Sequence, residues 1–200
     1  MFNLNDIPLT KYLTDYQKRY IDNIYNDFII NGKKVNCKYI GKEINEPACA
    51  VRLYYIEKYG NDVVDKFGSN KEYIRDKEGY MMFSGYEYKR AQYIMAKELE
   101  VDIRTISKFI VHHHDKNKIN DKLWNLYLVY DKGHHRYIHT NNYKCWEGFR
   151  DLTKRYLEDE WRYYKTGNDK GYFSDEVFNY VDDKIDKYVI LFNKLHDKFL

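Results

Sequence analysis

Between residues 11 and 30, Tyr12, Tyr16, Tyr20, Ile24 and Phe28 recur at every fourth position, which predicts a helix with one aromatic stripe turned to the core. Asn31-Gly32 ends it, because both residues tolerate a left-handed backbone. Farther on the pattern shortens. Glu72-Tyr73-Ile74, Gly79-Tyr80-Met81-Met82-Phe83, a turn at Ser84-Gly85 and then Tyr86-Glu87-Tyr88 predict an aromatic-rich β-hairpin, with a helix from Arg90 to about Leu99 behind it. Phe109-Ile110-Val111 is a β-favouring run, a polar stretch follows, and Leu126 to Tyr130 alternate as a second strand, so the two predict a long hairpin. Asp131 suits the N-cap of a short helix. Helical spacing then returns with Trp146, Phe149, Tyr156 and Leu157 on one face, extended by Trp161. A last helix is capped by Ser174-Asp175-Glu176 and carries Val177, Val181, Ile185, Val189, Phe192 and Leu195.

These elements make an α+β chain with helical residues 1–70, a mixed segment 71–142 and helical residues 143–200. A chain of 200 residues can bury a core without staples. Cys37, Cys49 and Cys145 are an odd count with no C-x-x-C pair, which excludes a disulfide framework and a thiolate zinc knuckle. No apolar run is long enough to span a bilayer, and the start MFNLNDIPLTKYL lacks a signal-peptide pattern, so the chain is expected to be intracellular and away from membranes. Lys and Arg number 34 against 31 Asp and Glu, so net charge selects no partner. Residues 11–60 carry 9 basic and 6 acidic groups, 101–165 carry 13 and 9, and 166–200 carry 5 and 7. Any phosphate-facing surface is therefore expected in the first two segments.

Residues 40–55, IGKEINEPACAVRLYY, show two short helical patterns about a break at Asn45-Glu46-Pro47. Asn45 suits a left-handed turn position and Pro47 the first turn of a second helix. The stretch resembles the helix-turn-helix of DNA-binding proteins over residues 38–59: Gly41 matches the small residue at the helix crossing, and Ile40, Ile44, Val51 and Tyr54 match the apolar positions, with Glu46 where an apolar residue is usual. A plain helical hairpin fits the same pattern. The resemblance implies that the helix from about Ala48 to Tyr59 enters the major groove and presents Arg52.

Six of the seven histidines, His112, His113, His114, His134, His135 and His139, fall within one short stretch. On a helix, His135 and His139 share a face, and a third imidazole from a facing strand would complete a metal site with an open position. The run V-H-H-H-D-K-N-K-I-N-D-K-L-W-N-L from Val111 to Leu126, followed by His135-x-x-x-His139, resembles the HNH endonuclease family, whose core is a ββα-metal fold. The preceding GYMMFSGYEYKRAQYIMAK is similar to the hairpin and helix ahead of the motif in phage-type HNH proteins, so the likeness spans residues 79–139.

That resemblance implies a metal-dependent DNA endonuclease of the phage homing or mobile-element type, acting in the cytoplasm of a bacterial or phage-infected host cell and leaving a 5′ phosphate and a 3′ hydroxyl. His112, His135 and His139 match the ligands of one divalent ion, Mg²⁺, Mn²⁺ or Zn²⁺. His113 matches the general base, and Asn125 the residue that pins the loop between the strands. A second register makes His113 the ligand and His114 the base; the first keeps the spacing from His113 to Asp115 and Asn125. Asp121 stands where a second Asn is usual, and His134 is expected to be solvated or to touch phosphate. Lys116, Lys118, Lys122 and Arg136, with Lys108 and Lys132, would hold the phosphates of double-stranded DNA. Other readings are an HNH restriction enzyme, a non-cleaving sequence-specific DNA-binding protein and a structural zinc site, the last without a nearby cysteine. A homodimer through the last helix would set two sites on opposite strands, although the helix is equally explained as core.

Overall fold

The computed structural model describes residues 9–31, 36–60, 73–83, 86–166 and 183–199. The chain is α+β and divides into two compact units, Met1–Arg90 and Ala91–Leu200. Each buries its own apolar residues. Among the described residues no helix is long and apolar enough to cross a membrane, and Cys37, Cys49 and Cys145 form no disulfide.

In the first unit, α1 (Asp15–Asn31) follows a 3₁₀ turn at Leu9–Tyr12. Thr14 and Gln17 start it reciprocally: Thr14 Oγ1 accepts the Gln17 N–H at 3.2 Å, and Gln17 Oε1 accepts the Thr14 N–H at 2.8 Å. The expected aromatic stripe is not the core face. Tyr16 is 72% exposed, Tyr20 is half-buried, and Ile21 with Leu9 and Leu13 fills the interior. The cause is rotational: a repeat of four overshoots the 3.6-residue turn, so the stripe drifts around the helix, and Tyr12 precedes the first turn altogether. The side chain of Phe28, and Gly32, lie outside the described residues.

Helices α2 (Cys37–Glu43) and α3 (Ala48–Tyr59) form the expected helical hairpin. Asn45 takes φ 55°, the left-handed turn position. Gly41 permits the crossing, since a Cβ there would lie 2.5 Å from the backbone oxygen of Glu46. Glu46 is buried, and its place in an apolar position is explained by Gln17, whose Nε2 donates to Glu46 Oε1 and to the Ile44 carbonyl, both at 3.0 Å. Asp22 on α1 accepts from Tyr54, Lys58 and Tyr59 of α3, and Tyr25 stacks on Tyr59 with ring centroids 3.8 Å apart.

The hairpin of this unit pairs β1 (Tyr73–Arg75) with β2 (Met81–Phe83), antiparallel, with Ile74 opposite Met82. Its turn lies at Asp76–Tyr80 because Asp76 Oδ1 accepts the N–H groups of Glu78 and Tyr80 at 2.9 Å, and Gly79 takes φ 89°. Tyr86-Glu87-Tyr88 is therefore not the partner strand, and on that side Met82 makes an isolated bridge to Lys89. The expected Ser84-Gly85 turn lies outside the described residues. Although grouped with the histidine segment on sequence, this hairpin belongs to the first unit.

The second unit holds α4 (Arg90–Glu98) from Ala91 onward, the short α5 (Ile103–Ile106), the hairpin β3 (Ile110–His113) and β4 (Leu126–Val129), then α6 (Lys132–Thr140), α7 (Trp146–Thr166) and α8 (Asp183–Phe199). Strands β3 and β4 are antiparallel, with His112 opposite Tyr127 and His113 opposite Leu126. Instead of the expected alternation, all four residues of β4 are buried. Tyr127 packs on Phe149 and Trp146 of α7, while the Tyr188 hydroxyl of α8 donates to the Leu128 carbonyl at 2.8 Å. Ile185, Val189, Phe192 and Leu195 fill the core as expected. Val177, Val181, the cap at 174–176 and the Trp161 side chain lie outside the described residues.

In an ordinary helix Gly→Ala stabilises by about 1 kcal/mol. At Gly41 the obstacle is backbone, so Gly41→Ala should instead destabilise by roughly 1–3 kcal/mol, seen as a Tm several degrees below that of the parent.

Candidate metal centre

Strand β3 supplies His112 and the facing helix α6 supplies His135 and His139, four residues apart and so on one side of it. His112 Nδ1 lies 3.1 Å from His135 Nε2, and His139 Nε2 lies 3.3 Å from the same atom. All three donor atoms fall within 4.8 Å of one another. An ion held by imidazoles at about 2.0–2.1 Å in a tetrahedral site sets its donors about 3.3 Å apart. Two of the three separations match that spacing, so the three imidazoles could together hold one divalent cation.

Two of the rings, His112 and His135, are also held in the ligating form. Burial, together with His135 and His139, lowers the proton affinity of His112 to about 3, and burial with His139 lowers that of His135. Near neutral pH these rings are neutral and offer lone pairs.

His113, one residue along β3, turns to the loop between the strands. Its Nε2 is 2.6 Å from Asp121 Oδ1, and both side chains are buried. Asn125 closes that loop. It is fully buried, its Nδ2 donates to Asp115 Oδ1 at 2.8 Å and to the Asn120 carbonyl at 2.7 Å, and its Oδ1 accepts the Asp115 N–H at 2.9 Å. Burial alone would raise the Asp115 carboxyl, but hydrogen bonds from Asn120, the Asn117 N–H and Asn125 outweigh it and hold the group below its ordinary value. His114 stacks on Tyr127 with centroids 5.2 Å apart and lies beside Tyr143, so it packs as an aromatic residue and is remote in role from His112 and His113.

His134 departs from expectation. It is neither solvated nor exposed to phosphate; it is completely buried. Its Nδ1 accepts the Tyr130 N–H at 3.1 Å, so the ring hydrogen sits on Nε2 and is donated to Thr153 Oγ1 at 3.0 Å. The ring stacks on Tyr156 at 4.9 Å, and Asp131, the N-cap of α6, accepts both the His134 N–H and the Tyr156 hydroxyl. Gly133 keeps this junction open, since a Cβ there would lie 2.5 Å from the Tyr156 oxygen. These contacts fix the rotation of α6 on α7, and with it the direction of His135 and His139.

Lys116, Lys118, Lys122 and Arg136 are exposed, as are Lys108 and Lys132, while Arg52 is half-buried on α3 of the other unit. His196 is half-buried beside Trp146 and accepts from Arg150. Sequence reasoning missed the place of His134, although Ile138 four residues on marks that face of α6 as buried. The pairing of Asp121 with His113 has no such local signal, since it is made by the loop's closure. The chain matches no family model, no curated protein and no solved structure.

Asn125→Ala should leave the Asp115 N–H and Asn120 carbonyl without partners and destabilise the fold by on the order of 2–4 kcal/mol, measurable by thermal or urea melting.

Acid should also destabilise the fold. The His134 ring, ordinarily 6.5, falls to about 3 in the fold because burial disfavours its charged form. The unfolded chain takes up the proton first, so stability is intact above about pH 6.5 and declines as pH falls toward 3, by up to about 1.4 kcal/mol per pH unit from this group. His134→Asn, whose Oδ1 replaces Nδ1 as acceptor, should melt lower near neutral pH and show a shallower decline in acid.

Proposed function

We propose that the chain is a metal-dependent endonuclease of the HNH type, hydrolysing phosphodiester bonds in double-stranded DNA, with β3, β4 and α6 as its ββα-metal core. The observation that carries this reading is the convergence of His112, His135 and His139 from a strand and a facing helix, with His113 next to the first of them. In this role His113 takes a proton from the attacking water, which a neutral imidazole does well near pH 7. The oxygen so freed attacks phosphorus and the 3′ oxygen leaves, giving a 5′ phosphate and a 3′ hydroxyl. One divalent ion on the three histidines would supply positive charge to the phosphate as negative charge grows on it. Asn125 acts by holding the loop. Lys116, Lys118, Lys122 and Arg136 contact phosphates without reading sequence.

Sequence choice on this reading belongs to the α2–α3 hairpin, with Arg52 as the side chain offered to base edges. That assignment suits a homing or a restriction enzyme equally.

Supercoiled plasmid incubated with Mg²⁺, Mn²⁺, Zn²⁺ or chelator tests the proposal. The parent should nick or cut with metal and stop with chelator. His113→Ala should bind metal and DNA nearly as the parent does but cut about 10²–10⁴-fold more slowly, while His114→Ala changes little. A parent that binds duplex yet cuts under no metal is a DNA-binding protein instead. If His114→Ala is the dead variant and His113→Ala loses metal, the site lies one residue farther along.

A further inference from the structure

The contact between His113 and Asp121 has a direction. A carboxylate in its ionised form only accepts hydrogen bonds, and opposite that form the hydrogen in the 2.6 Å contact belongs to His113 Nε2. A neutral imidazole has one N–H, and its lone pair is then on Nδ1. The carboxylate cannot easily move away. Asn125 Nδ2 holds the carbonyl of Asn120, and the Asn125 N–H holds the carbonyl of Lys122 at 2.9 Å, so the backbone is tied on both sides of Asp121. The contact itself is buried, with 3% and 1% of the two side-chain surfaces exposed.

We propose that Asp121 is a positioning residue that sets the tautomer and ring orientation of His113. Asn125 acts through it: the amide ties the loop, the loop places the carboxylate, and the carboxylate holds Nε2. Resting on the nuclease reading, Nδ1 is then the atom that receives the proton from the attacking water. A buried pair serving only to hold the loop would tolerate any side chain of the same shape that keeps a hydrogen bond.

The test uses the full chain with ¹⁵N-labelled histidine, its His113 signals assigned by their loss in His113→Gln. Long-range ¹H–¹⁵N spectra near pH 8 should show Nε2 protonated and Nδ1 bare. Asp121→Asn keeps the volume but offers N–H as readily as oxygen, so it should give mixed tautomers. It should melt within a few degrees of the parent and cut plasmid at least about tenfold more slowly, toward the roughly 10⁴-fold loss that a wrong tautomer causes in a serine-protease triad. A parent ring protonated on Nδ1, or on both nitrogens, overturns the assignment without need of any variant. So does Asp121→Asn keeping both the single tautomer and the parent rate. If the parent shows the expected tautomer, Asp121→Asn scrambles it and neither protein cuts DNA, the assignment of the hydrogen stands and the nuclease reading falls.

Discussion

The candidate metal centre depends on one buried ring that is not among its would-be ligands. His134 joins the end of β4, through the Tyr130 N–H, to α7, through Thr153, and it does so as a neutral imidazole with both nitrogens used. Leucine would fill the space but satisfy neither partner, leaving a backbone N–H and a hydroxyl dry at a cost of about 1–3 kcal/mol each. Because α6 has only nine residues, its rotation is set by its ends and its packed face. His134 and Ile138 anchor that face, and His135 and His139, one position on from each, must then point toward β3.

The same geometry separates three adjacent histidines into three roles. Successive side chains of a strand alternate across it, so His112 meets α6 whereas His113 turns to the loop. His114 follows the end of β3 and lies in the aromatic group of Tyr127 and Tyr143. Composition alone makes these residues equivalent. Their neighbours make one a ligand candidate, one a hydrogen-bonded partner of a carboxylate, and one a packing residue.

What was legible in the sequence follows from how local the deciding forces are. The β3–β4 hairpin, the Asp131 cap and the i, i+4 pair of α6 rest on strand propensity, a capping oxygen and helical spacing, and each was expected where it lies. Asn45 and Gly41 were legible for the same reason. The tyrosine stripe was not, because a four-residue repeat fits a helix locally and drifts over several turns, and nothing in the sequence says which phase meets α3. The β1–β2 pairing was hidden by Asp76, whose side chain sets the turn while polar residues on either side look equally turn-like. The burial of both faces of β4 depends on α7 and α8, and the pair of Asp121 with His113 on the loop's closure. Both are tertiary facts.

The loop also shows why an asparagine is needed at its end. Residues 114–125 bury few apolar side chains, and fixing each backbone residue costs about 1–2 kcal/mol, so hydrophobic contact cannot hold them. Asn125 makes five hydrogen bonds, three from its amide and two from its backbone, to Asp115, Asn120, Lys122 and His114. Aspartate lacks the two donors, and glutamine carries them one carbon too far from the chain. The rigid loop and the rigid helix are thus fixed by separate means, an amide on one side and a neutral imidazole on the other. They meet only at β3, where His112 answers to the helix and His113 to the loop. The spacing between the candidate ligand His112 and the carboxylate-bound ring of His113 is therefore set by a single peptide unit, the least deformable part of the chain.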